Sequence, residues 1–372
     1  MSFRTSVLLL SLTILSMSLK AEEKNKIKIG GALRFNLFDK SWIKDATQPE
    51  FTWDTWRLNA DGSIGGIDLS FEYRFYPNSN LHFMHHGYFG YAFNEDLYMK
   101  LGVSQVPFGI DGFASHSYFF QGQYYFGLED DYDLGLNFRY SGIENLDIDF
   151  AYFRSAEPQG HGGESSRYSY DIVSSANASI KEQDQFNLRL NYLLGGHTKL
   201  GASAQIGGIY NSALDKSVWS DAYALHLHSM LDGGWSIKAT ALTYNYKARD
   251  NNNQIMDIVK MGAYGAPYDV AAKANSYSVG IAKTFITNWG PINSIEAHVD
   301  YAYVDKKSEN FYDTQQLIPG FLVTAGPMYI YIDYAMGLNH PWFTPNFGDG
   351  LGVGDADAEW MQRFNINFGY YF

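Results

Sequence analysis

The sequence predicts an all-β protein: a transmembrane antiparallel β-barrel of about 16 strands with short periplasmic turns and long extracellular loops. Three observations carry this prediction. Apolar and aromatic residues recur at every second position along the chain, the connections alternate between short and long, and aromatic residues make up 17% of 372 residues while charged residues make up only 18%. Strands with one lipid face and one water face, bordered by aromatic rings, have this composition.

The first 21 residues are expected to be a cleaved secretory signal peptide. Arg4 precedes an apolar run from Val7 to about Ser18, and the small residue Ala21 follows. This run is shorter than the roughly 20 residues that a membrane-spanning helix needs, but it fits an export signal. A buried core segment is the alternative interpretation. Residues 22–372 are then a single outer-membrane barrel, which contains no cysteine and so no disulfide.

Sixteen segments with alternating polarity are predicted to be the barrel strands. In the clearest internal one, Ile67, Leu69 and Phe71 share one face, and Asp68 and Ser70 share the other. The segments lie near residues 27–38, 51–60, 66–76, 82–93, 97–105, 132–140, 146–152, 185–193, 199–209, 222–231, 235–246, 275–285, 294–304, 316–324, 327–336 and 359–372.

The connections give an independent signal. Short polar turns such as "NED", "SGIEN" and "LDGG" alternate with longer segments. The longer segments are 40–50, 106–130, 154–184, 211–221, 247–273, 305–315 and 337–358, and residues 76–80 are a short exception on the same side. Outer-membrane barrels have this asymmetry, with tight periplasmic turns and long outer loops. The start of the first strand and the end of the last strand are therefore predicted to lie on the periplasmic side.

The last segment is apolar on one face only. Phe364, Ile366, Phe368, Tyr370 and Phe372 occupy alternate positions, with polar residues or glycine between most of them. Such a strand would be an exposed edge, and hence an aggregation hazard, unless it is paired on both sides. Closure of the sheet into a barrel within a bilayer satisfies this requirement.

Charge argues against a nucleic-acid partner. Removal of Arg4 and Lys20 with the signal peptide leaves 25 basic and 40 acidic residues, and an excess of acid repels a phosphate backbone. The expected surroundings are outer-membrane lipid and lipopolysaccharide. Acidic loops above a nearly balanced interior weakly favour the passage of cations.

Charged residues of both signs are expected on the inward face of the strands. Opposed rows of such charges create a transverse field in a pore, whereas scattered ion pairs would only solvate the wall, and the sequence leaves both interpretations open. The candidate lumen charges are Arg34, Arg57, Glu72, Arg74, Lys100, Asp133, Arg139 and Arg189.

Two stretches resemble a known family. "LGVSQVPFG" at 101–109 and "YYFGLEDDYDLG" at 124–135 are similar to uncharacterised members of the bacterial outer-membrane porin family related to phosphate-selective porins (O/P). The resemblance implies a sixteen-stranded homotrimeric channel that passes small hydrophilic solutes. The aromatic alternation that ends in Phe372 also looks like the signal read by the bacterial barrel-assembly machinery. Phosphate-selective members of the family have a lysine cluster in the pore. Residues 106–130 contain no Lys or Arg, so the resemblance does not extend to that cluster.

The resemblance also implies that the third long loop, about 106–130, folds inward and narrows the lumen. Its aromatic rings could stack on apolar faces of solutes or pack the loop against the wall, and both interpretations stay open. Glycine residues allow the backbone of this loop to turn sharply. The candidate constriction residues are Pro107, Phe108, Gly109, Phe113, His116, Tyr118, Tyr124 and Tyr125.

Three polar groups are candidate metal sites. The segment 129–133 holds four carboxylates, which is a composition that Ca²⁺ prefers, but a solvated pore mouth is the favoured interpretation. His226 and His228 share one strand face, as do Glu296, His298 and Asp300, and wall polarity is the favoured account of both. The sequence therefore predicts no metal, no cofactor and no catalytic residues.

A passive porin accounts for most of these features: export, a barrel, a narrowing loop and a mixed lumen. The alternative is a structural or adhesive outer-membrane barrel without a conducting pore. An outer-membrane barrel enzyme is the remaining class, and it would need a nucleophile or acid–base constellation at the rim.

Overall fold

A computed structural model describes residues 26–348 and 350–372; the predicted signal peptide, residues 1–21, lies outside them. In chain order the strands of the described residues are β1 (Lys26–Lys40), β2 (Glu50–Ile64), β3 (Ile67–Tyr76), β4 (Leu81–Ala92), β5 (Leu97–Gln105), β6 (Tyr132–Ile143), β7 (Leu146–Ala156), β8 (Asp171–Val173), β9 (Ile180–Leu194), β10 (Thr198–Asn211), β11 (Lys216–Leu231), β12 (Trp235–Asn245), β13 (Ile258–Gly262), β14 (Tyr268–Ala271), β15 (Lys273–Trp289), β16 (Ile292–Lys306), β17 (Thr314–Ala325), β18 (Met328–Leu338) and β19 (Met361–Tyr371). Short 3₁₀ turns cover Pro77–Ser79 and Gly122–Phe126.

Sixteen of these strands close into one antiparallel barrel, and β8, β13 and β14 form a separate three-stranded sheet. Closure joins β1 to β19, with Phe35 opposite Phe368. Gly31 N donates to Phe372 O at 2.9 Å, and Phe372 N donates to Gly31 O at 3.0 Å. The predicted fold class and strand number are confirmed. A closed sheet has no open edge, so every strand of the wall is paired on both sides.

The barrel has an inverted polarity, apolar outside and polar inside. On β9, Phe186 and Leu188 are 42% and 43% exposed, whereas Asn187 and Arg189 between them are 1% and 4% exposed. The outer face of such a strand suits lipid, and the inner face suits water and ion pairs. Among residues 26–348 and 350–372, no helix has the length and apolar character needed to cross a bilayer.

The two ends of the barrel differ in their connections. At one end the strands are joined by short turns, for example Gly65 and Gly66 with φ of 60° and 81°. At the other end lie the long connections 41–49, 106–131, 157–179, 246–272 and 339–360. Lys26 pairs with Ser63, and Tyr371 N donates to Pro327 O. The start of β1 and the end of β19 therefore both lie at the short-turn end.

The prediction of a long loop at 211–221 is wrong. The β10–β11 ladder continues to the pair Asn211 and Lys216, which leaves a turn of residues 212–215. Polar residues on both faces of these strand ends hide the period-two signal, because the strands here extend past the apolar band.

Part of the interior is a packed core. Val259, Met261 and Val270 of the three-stranded sheet are fully buried, and they pack with Phe126 of the third long loop. The same core includes Tyr244 on β12 and further inward side chains of β7 to β16. Open space remains beside β1, β2, β3 and β19, and also beside β11 to β18 toward the short-turn end.

Candidate functional site

The third long loop, residues 106–131, runs along the inner wall of the barrel. Val106 N donates to Asp131 O at 2.8 Å and closes the base of the loop. Farther along, Gly109 N donates to Ser203 Oγ on β10 at 3.1 Å, and Gln316 Nε2 on β17 donates to Phe120 O at 2.6 Å. The loop is thus held to two strands that are five places apart in the closed sheet.

Two buried wall carboxylates position the middle of this loop. His116 N and Ser117 N donate to Asp300 Oδ2 on β16 at 2.8 and 2.7 Å. Tyr118 N donates to Asp333 Oδ2 on β18 at 2.9 Å. Charge-assisted hydrogen bonds of this kind are among the stronger ones in proteins, so they fix where the loop crosses the lumen.

An ion-pair network holds an earlier part of the loop. Asp111 accepts from Arg139 Nη2 and Arg189 Nη2, each at 3.2 Å. Both arginines also bind Asp149, with Nε to oxygen distances of 2.7 and 2.8 Å. Two guanidinium groups and two carboxylates balance one another, so this network anchors the loop and adds little net charge to the lumen.

The side chain of His116 completes a hydrogen-bonded chain. Its Nδ1 lies 3.2 Å from Asp300 Oδ1 and its Nε2 lies 2.8 Å from Ser236 Oγ on β12. The order serine, histidine, aspartate is that of a hydrolytic triad. However, the backbone N–H groups of His116 and Ser117 both point at Asp300 and are not free to stabilise an oxyanion. The arrangement therefore serves as an anchor between loop and wall.

Glu129 secures the underside of the loop. Its Oε1 accepts from Ala114 N at 2.9 Å. The carboxyl group is buried, and burial raises its pKa to about 8, because the charged form loses its hydration. Glu129 is therefore largely protonated at neutral pH.

An open cavity of about 870 Å³ lies between the loop and the wall at β1, β2, β3 and β19. Four arginines line it: Arg34, Arg57, Arg74 and Arg363. They come from four adjacent strands of the closed sheet, so they form one continuous basic surface.

Carboxylates compensate this surface only in part. Arg34 Nε lies 3.0 Å from Asp54 Oδ2, and Arg57 Nη1 lies 3.7 Å from Glu72 Oε1. Arg74 Nε also binds Glu72 Oε1, and Glu50 is the further acid on the cavity lining. Four guanidinium groups against three carboxylates leave an excess of positive charge beside the open space.

Aromatic rings hold the arginines from the other side. The guanidinium carbon of Arg34 lies 4.9 Å from the centroid of Tyr118, and that of Arg74 lies 4.3 Å from Tyr168. Arg363 lies 5.4 Å from Phe119. Stacking on rings orients the guanidinium planes beside the open space.

A second cavity of about 770 Å³ lies toward the short-turn end, where Gly233 and Gly234 line it. The two cavities share lining residues: Phe113, Ser115 and His116 of the loop and Tyr331 on β18. These four residues, called the neck below, line both cavities.

The predicted constriction residues fall into two groups. Phe113, His116 and Tyr118 line the open space. Pro107, Phe108 and Gly109 are buried at the base of the loop, and Tyr124 and Tyr125 are 3% and 5% exposed within the packed core. For these buried rings the packing interpretation applies rather than stacking on solutes.

The predicted lumen charges also separate. Arg34, Arg57, Glu72 and Arg74 lie together at the first cavity, while Arg139 and Arg189 belong to the loop anchor. Lys100 Nζ lies 4.9 Å from the ring centroid of Tyr88. Asp133 is buried among other carboxylates and does not face the open cavities.

Several residues of the site were missed by sequence reasoning. Arg363 shares its face of β19 with Asn365 and Asn367, so the alternation could have identified it. Asp54 lies at a register shift, where Arg34 pairs with Thr55 and Phe35 pairs with Trp53. A bulge of this kind resets the inside and outside faces, and no periodicity can reveal it.

The histidines on the wall have ordinary hydrogen-bond partners. His226 Nε2 lies 3.0 Å from Asn191 Oδ1, and His298 Nε2 lies 2.9 Å from Asp333 Oδ1. Among the described ranges, the metal-compatible group is a set of three carboxylates, Asp131, Asp133 and Asp171. Neither the pair His226 and His228 nor the group of Glu296, His298 and Asp300 belongs to it.

The fold is similar to solved outer-membrane channels. The outer membrane channel DcaP of Acinetobacter baumannii aligns with a TM-score of 0.59 at 12% identity, covering 93% of this chain and 97% of that one. The anion-selective porin from Comamonas acidovorans gives 0.57 at 15% identity, with 93% and 99% covered. OmpT of Vibrio cholerae, in its trimer form, gives 0.55 at 14% identity, also with 93% and 99% covered.

No family model matches the sequence, and no curated protein matches it significantly. The likeness to the solved structures therefore concerns the fold. It confirms the predicted outer-membrane barrel architecture.

Proposed function

We propose that this chain forms a water-filled channel for passive diffusion of small hydrophilic solutes across the bacterial outer membrane. The observation that carries the proposal is the pair of open cavities that meet at the neck of Phe113, Ser115, His116 and Tyr331. They lie inside a closed barrel whose outer face is apolar. A lumen that is narrowed, but lined by polar and charged groups, is the arrangement of a size-selective pore.

The lining of the first cavity favours anions. Arg34, Arg57, Arg74 and Arg363 lie on the path, whereas most of the acidic excess of the chain lies elsewhere. Charges beyond a Debye length, about 8 Å at physiological salt, are screened, so the lining counts more than the total. We therefore expect anion preference instead of the weak cation preference drawn from the acidic loops and the nearly balanced interior. The Comamonas acidovorans neighbour is itself described as anion-selective.

The test is single-channel recording of the refolded protein in a planar bilayer under a KCl gradient. Stable current steps with a reversal potential on the anion side are expected. Arg34→Gln combined with Arg363→Gln should move the reversal potential toward cations, because half of the basic surface is removed. Arg154→Gln is the matched control, since Arg154 lies on the outward face of β7. Folded barrels that never conduct would overturn the proposal and favour the structural or adhesive alternative.

The neck can be tested separately. Phe113 is half exposed at the junction of the two cavities, so Phe113→Ala should widen the passage and raise the single-channel conductance. Phe150→Ala removes a ring of similar exposure from the outer face of β7 and should leave the conductance unchanged. Equal conductance of Phe113→Ala and wild type would place the narrowest point elsewhere.

Assembly is part of the same proposal. We expect a homotrimer, as in the trimer form described for the Vibrio cholerae neighbour, surrounded by outer-membrane lipid and lipopolysaccharide. The C-terminal strand would be read by the barrel-assembly machinery, since Phe364, Tyr370 and Phe372 are exposed along one face. Light scattering of the detergent-extracted protein measures its mass, and a monomer would contradict the trimer.

A further inference from the structure

A buried group of carboxylates lies at the long-loop end of the barrel, away from the two open cavities. Asp131 ends the third long loop, Asp133 begins the inward face of β6, and Asp171 begins β8. One carboxylate oxygen from each lies within 4.8 Å of the others. All three side chains are buried, with at most 6% exposure.

A fourth carboxylate, Glu157, accompanies them. Ser169 donates its N and its Oγ to Glu157 Oε1 at 2.9 and 2.8 Å, which orients the carboxylate. Glu157 is close enough to Asp171 and Asp131 for their charges to raise its pKa further, after burial as the main cause.

Several oxygens of this group have no donor. Asp133 Oδ1, Asp171 Oδ1 and Glu157 Oε2 are buried and make no hydrogen bond. Their sister oxygens are satisfied: Gln185 Nε2 donates to Asp133 Oδ2 at 3.1 Å, and Arg167 Nη1 donates to Asp171 Oδ2 at 2.9 Å. Each carboxylate is thus held in place by one oxygen while the other is left without a partner.

The charge of this group is not balanced by protein side chains. Arg167 neutralises one carboxylate, which leaves an excess of negative charge in a buried place. An uncompensated buried charge costs several kcal/mol, so the group must either take up protons or hold a cation. A proton shared between two carboxyl groups satisfies one pair of oxygens, whereas a cation binds oxygens from all of the carboxylates at once.

We propose that Asp131, Asp133 and Asp171, together with Glu157, bind a divalent cation of the Ca²⁺ type. The donors are all carboxylate oxygens, which favour hard cations over transition metals. Several direct carboxylate ligands from three separate segments form an irregular cage, which suits Ca²⁺ better than Mg²⁺, because Mg²⁺ requires near-octahedral geometry and keeps its waters.

The position of the site gives the cation a structural role. It joins the end of the third loop, the barrel wall and the sheet that packs over the lumen. The backbone carbonyl of Asp131 also accepts from Val106 N at the base of the loop. Bound Ca²⁺ would therefore lock the loop that forms the neck to the long-loop end of the barrel.

The experiment is calorimetric titration of CaCl₂ into the full-length barrel, refolded from denaturant in lipopolysaccharide-free detergent and treated with EDTA. One saturable site per chain is expected, with a dissociation constant between about 10⁻⁶ and 10⁻³ M, and weaker binding of MgCl₂. Asp133→Asn with Asp171→Asn should abolish it. Asp68→Asn with Asp147→Asn is the charge-matched control, since both residues lie beside short turns.

Folding of every variant is checked by circular dichroism and by heat-modifiable migration on gels. If the double variant does not fold, Asp171→Asn alone serves, because Asp171 lies outside the barrel wall. Hydrogen exchange of residues 106–110 and 128–131 should slow when Ca²⁺ is added to wild type.

Wild-type protein that shows no saturable binding up to 10 mM Ca²⁺ would overturn the proposal, as would binding that survives both site substitutions. These measurements need no current through the pore. The failure of this proposal is therefore distinguishable from the failure of the channel proposal.

Discussion

Two aspartates on the inner wall, Asp300 and Asp333, each use both carboxylate oxygens to bind different partners. Asp300 receives two backbone N–H groups on Oδ2 and faces His116 with Oδ1, and Asp333 divides its oxygens between Tyr118 N and His298. The wall thus presents preoriented acceptors, and the loop supplies the donors. Asp300 and Asp333 therefore position the middle of a loop that contains no strand and only one short 3₁₀ turn, Gly122–Phe126.

Loss of Asp300 should free the middle of the loop. Asp300→Ala removes the acceptor of two backbone N–H groups and leaves them buried, at a cost of about 2–4 kcal/mol to the local closed state. We expect larger current noise in single channels and faster hydrogen exchange at residues 114–119. Asp147→Ala is the control, because Asp147 accepts only from Ser141 Oγ among the side-chain contacts described and lies far from the loop. Unchanged noise in Asp300→Ala would refute the anchoring role.

The stability of the β18–β19 connection is expected to depend on pH through His340. Its Nε2 donates to Gln316 Oε1 at 3.0 Å, and its Nδ1 accepts from Trp342 N and Phe343 N. Burial lowers its pKa to about 3, so the folded chain binds fewer protons than the unfolded chain between about pH 3 and 6.5.

Stability from His340 is thus present above pH 6.5 and lost as pH falls toward 3, by roughly 3 kcal/mol at pH 4.5. Hydrogen exchange at residues 339–348, corrected for intrinsic rates, should quicken at pH 4.5 relative to pH 7. His340→Gln should remove most of this difference. An equal pH response in His340→Gln and wild type would contradict the assignment.

At the scale of strands, alternation decides which face meets lipid and which meets the lumen. β11 shows the rule, with exposed Tyr223 and Leu225 on either side of buried Ala224. The bulge in β2 shows the exception, since the shifted register at Arg34 and Phe35 places Asp54 beside Arg34. Strand geometry therefore produces both the regular wall and the local departure on which the charged lining depends.

Leu225 tests the lipid-facing assignment. It lies near the middle of β11 and is 67% exposed, so Leu225→Arg would place a charge in the hydrocarbon region. The free energy of unfolding should fall by about 2–4 kcal/mol in phospholipid vesicles, measured by urea titration of tryptophan fluorescence. Leu225→Ala is the control that removes the side chain without adding charge, and it should cost less. Similar losses for both variants would argue that this position does not face lipid.

At the scale of the whole molecule, the barrel is closed by its last residues. β19 pairs with β18 on one side and with β1 on the other, so the final strand completes the wall. The packed core inside β7 to β16, the first cavity beside β19 and β1 to β3, and the second cavity beside β11 to β18 then share one interior. The expected anion preference depends on the first cavity, because its lining carries four arginines from adjacent strands.

The role of the Phe372 ring in barrel assembly can be tested in cells. Phe372→Ala should reduce the amount of heat-modifiable barrel in the outer-membrane fraction, while the same variant refolded in detergent should still close, because its backbone bonds to Gly31 remain. Trp289→Ala removes an exposed ring from another strand end and should leave assembly unchanged. Normal membrane levels of Phe372→Ala would contradict the assembly signal.

The wall of this barrel was predictable from the sequence. Period-two alternation located all sixteen barrel strands, and the faces of Arg34, Arg57 and Arg74 followed from parity. These features are local: a residue's side of a strand is set by its immediate neighbours, and the need to pair every edge then requires closure.

Only the tertiary structure decided how the interior is arranged. His116 meets Asp300 across 184 positions of sequence, and Asp131 meets Asp171 from a different loop. The burial of Tyr125 and the exposure of Phe113 within one loop likewise depend on which distant surfaces the loop touches. The sequence by itself determined a closed barrel with a polar interior, because alternation is a property of the backbone. The fold determined the neck, the basic surface and the carboxylate group, because contacts between distant loops leave no periodic mark in the chain.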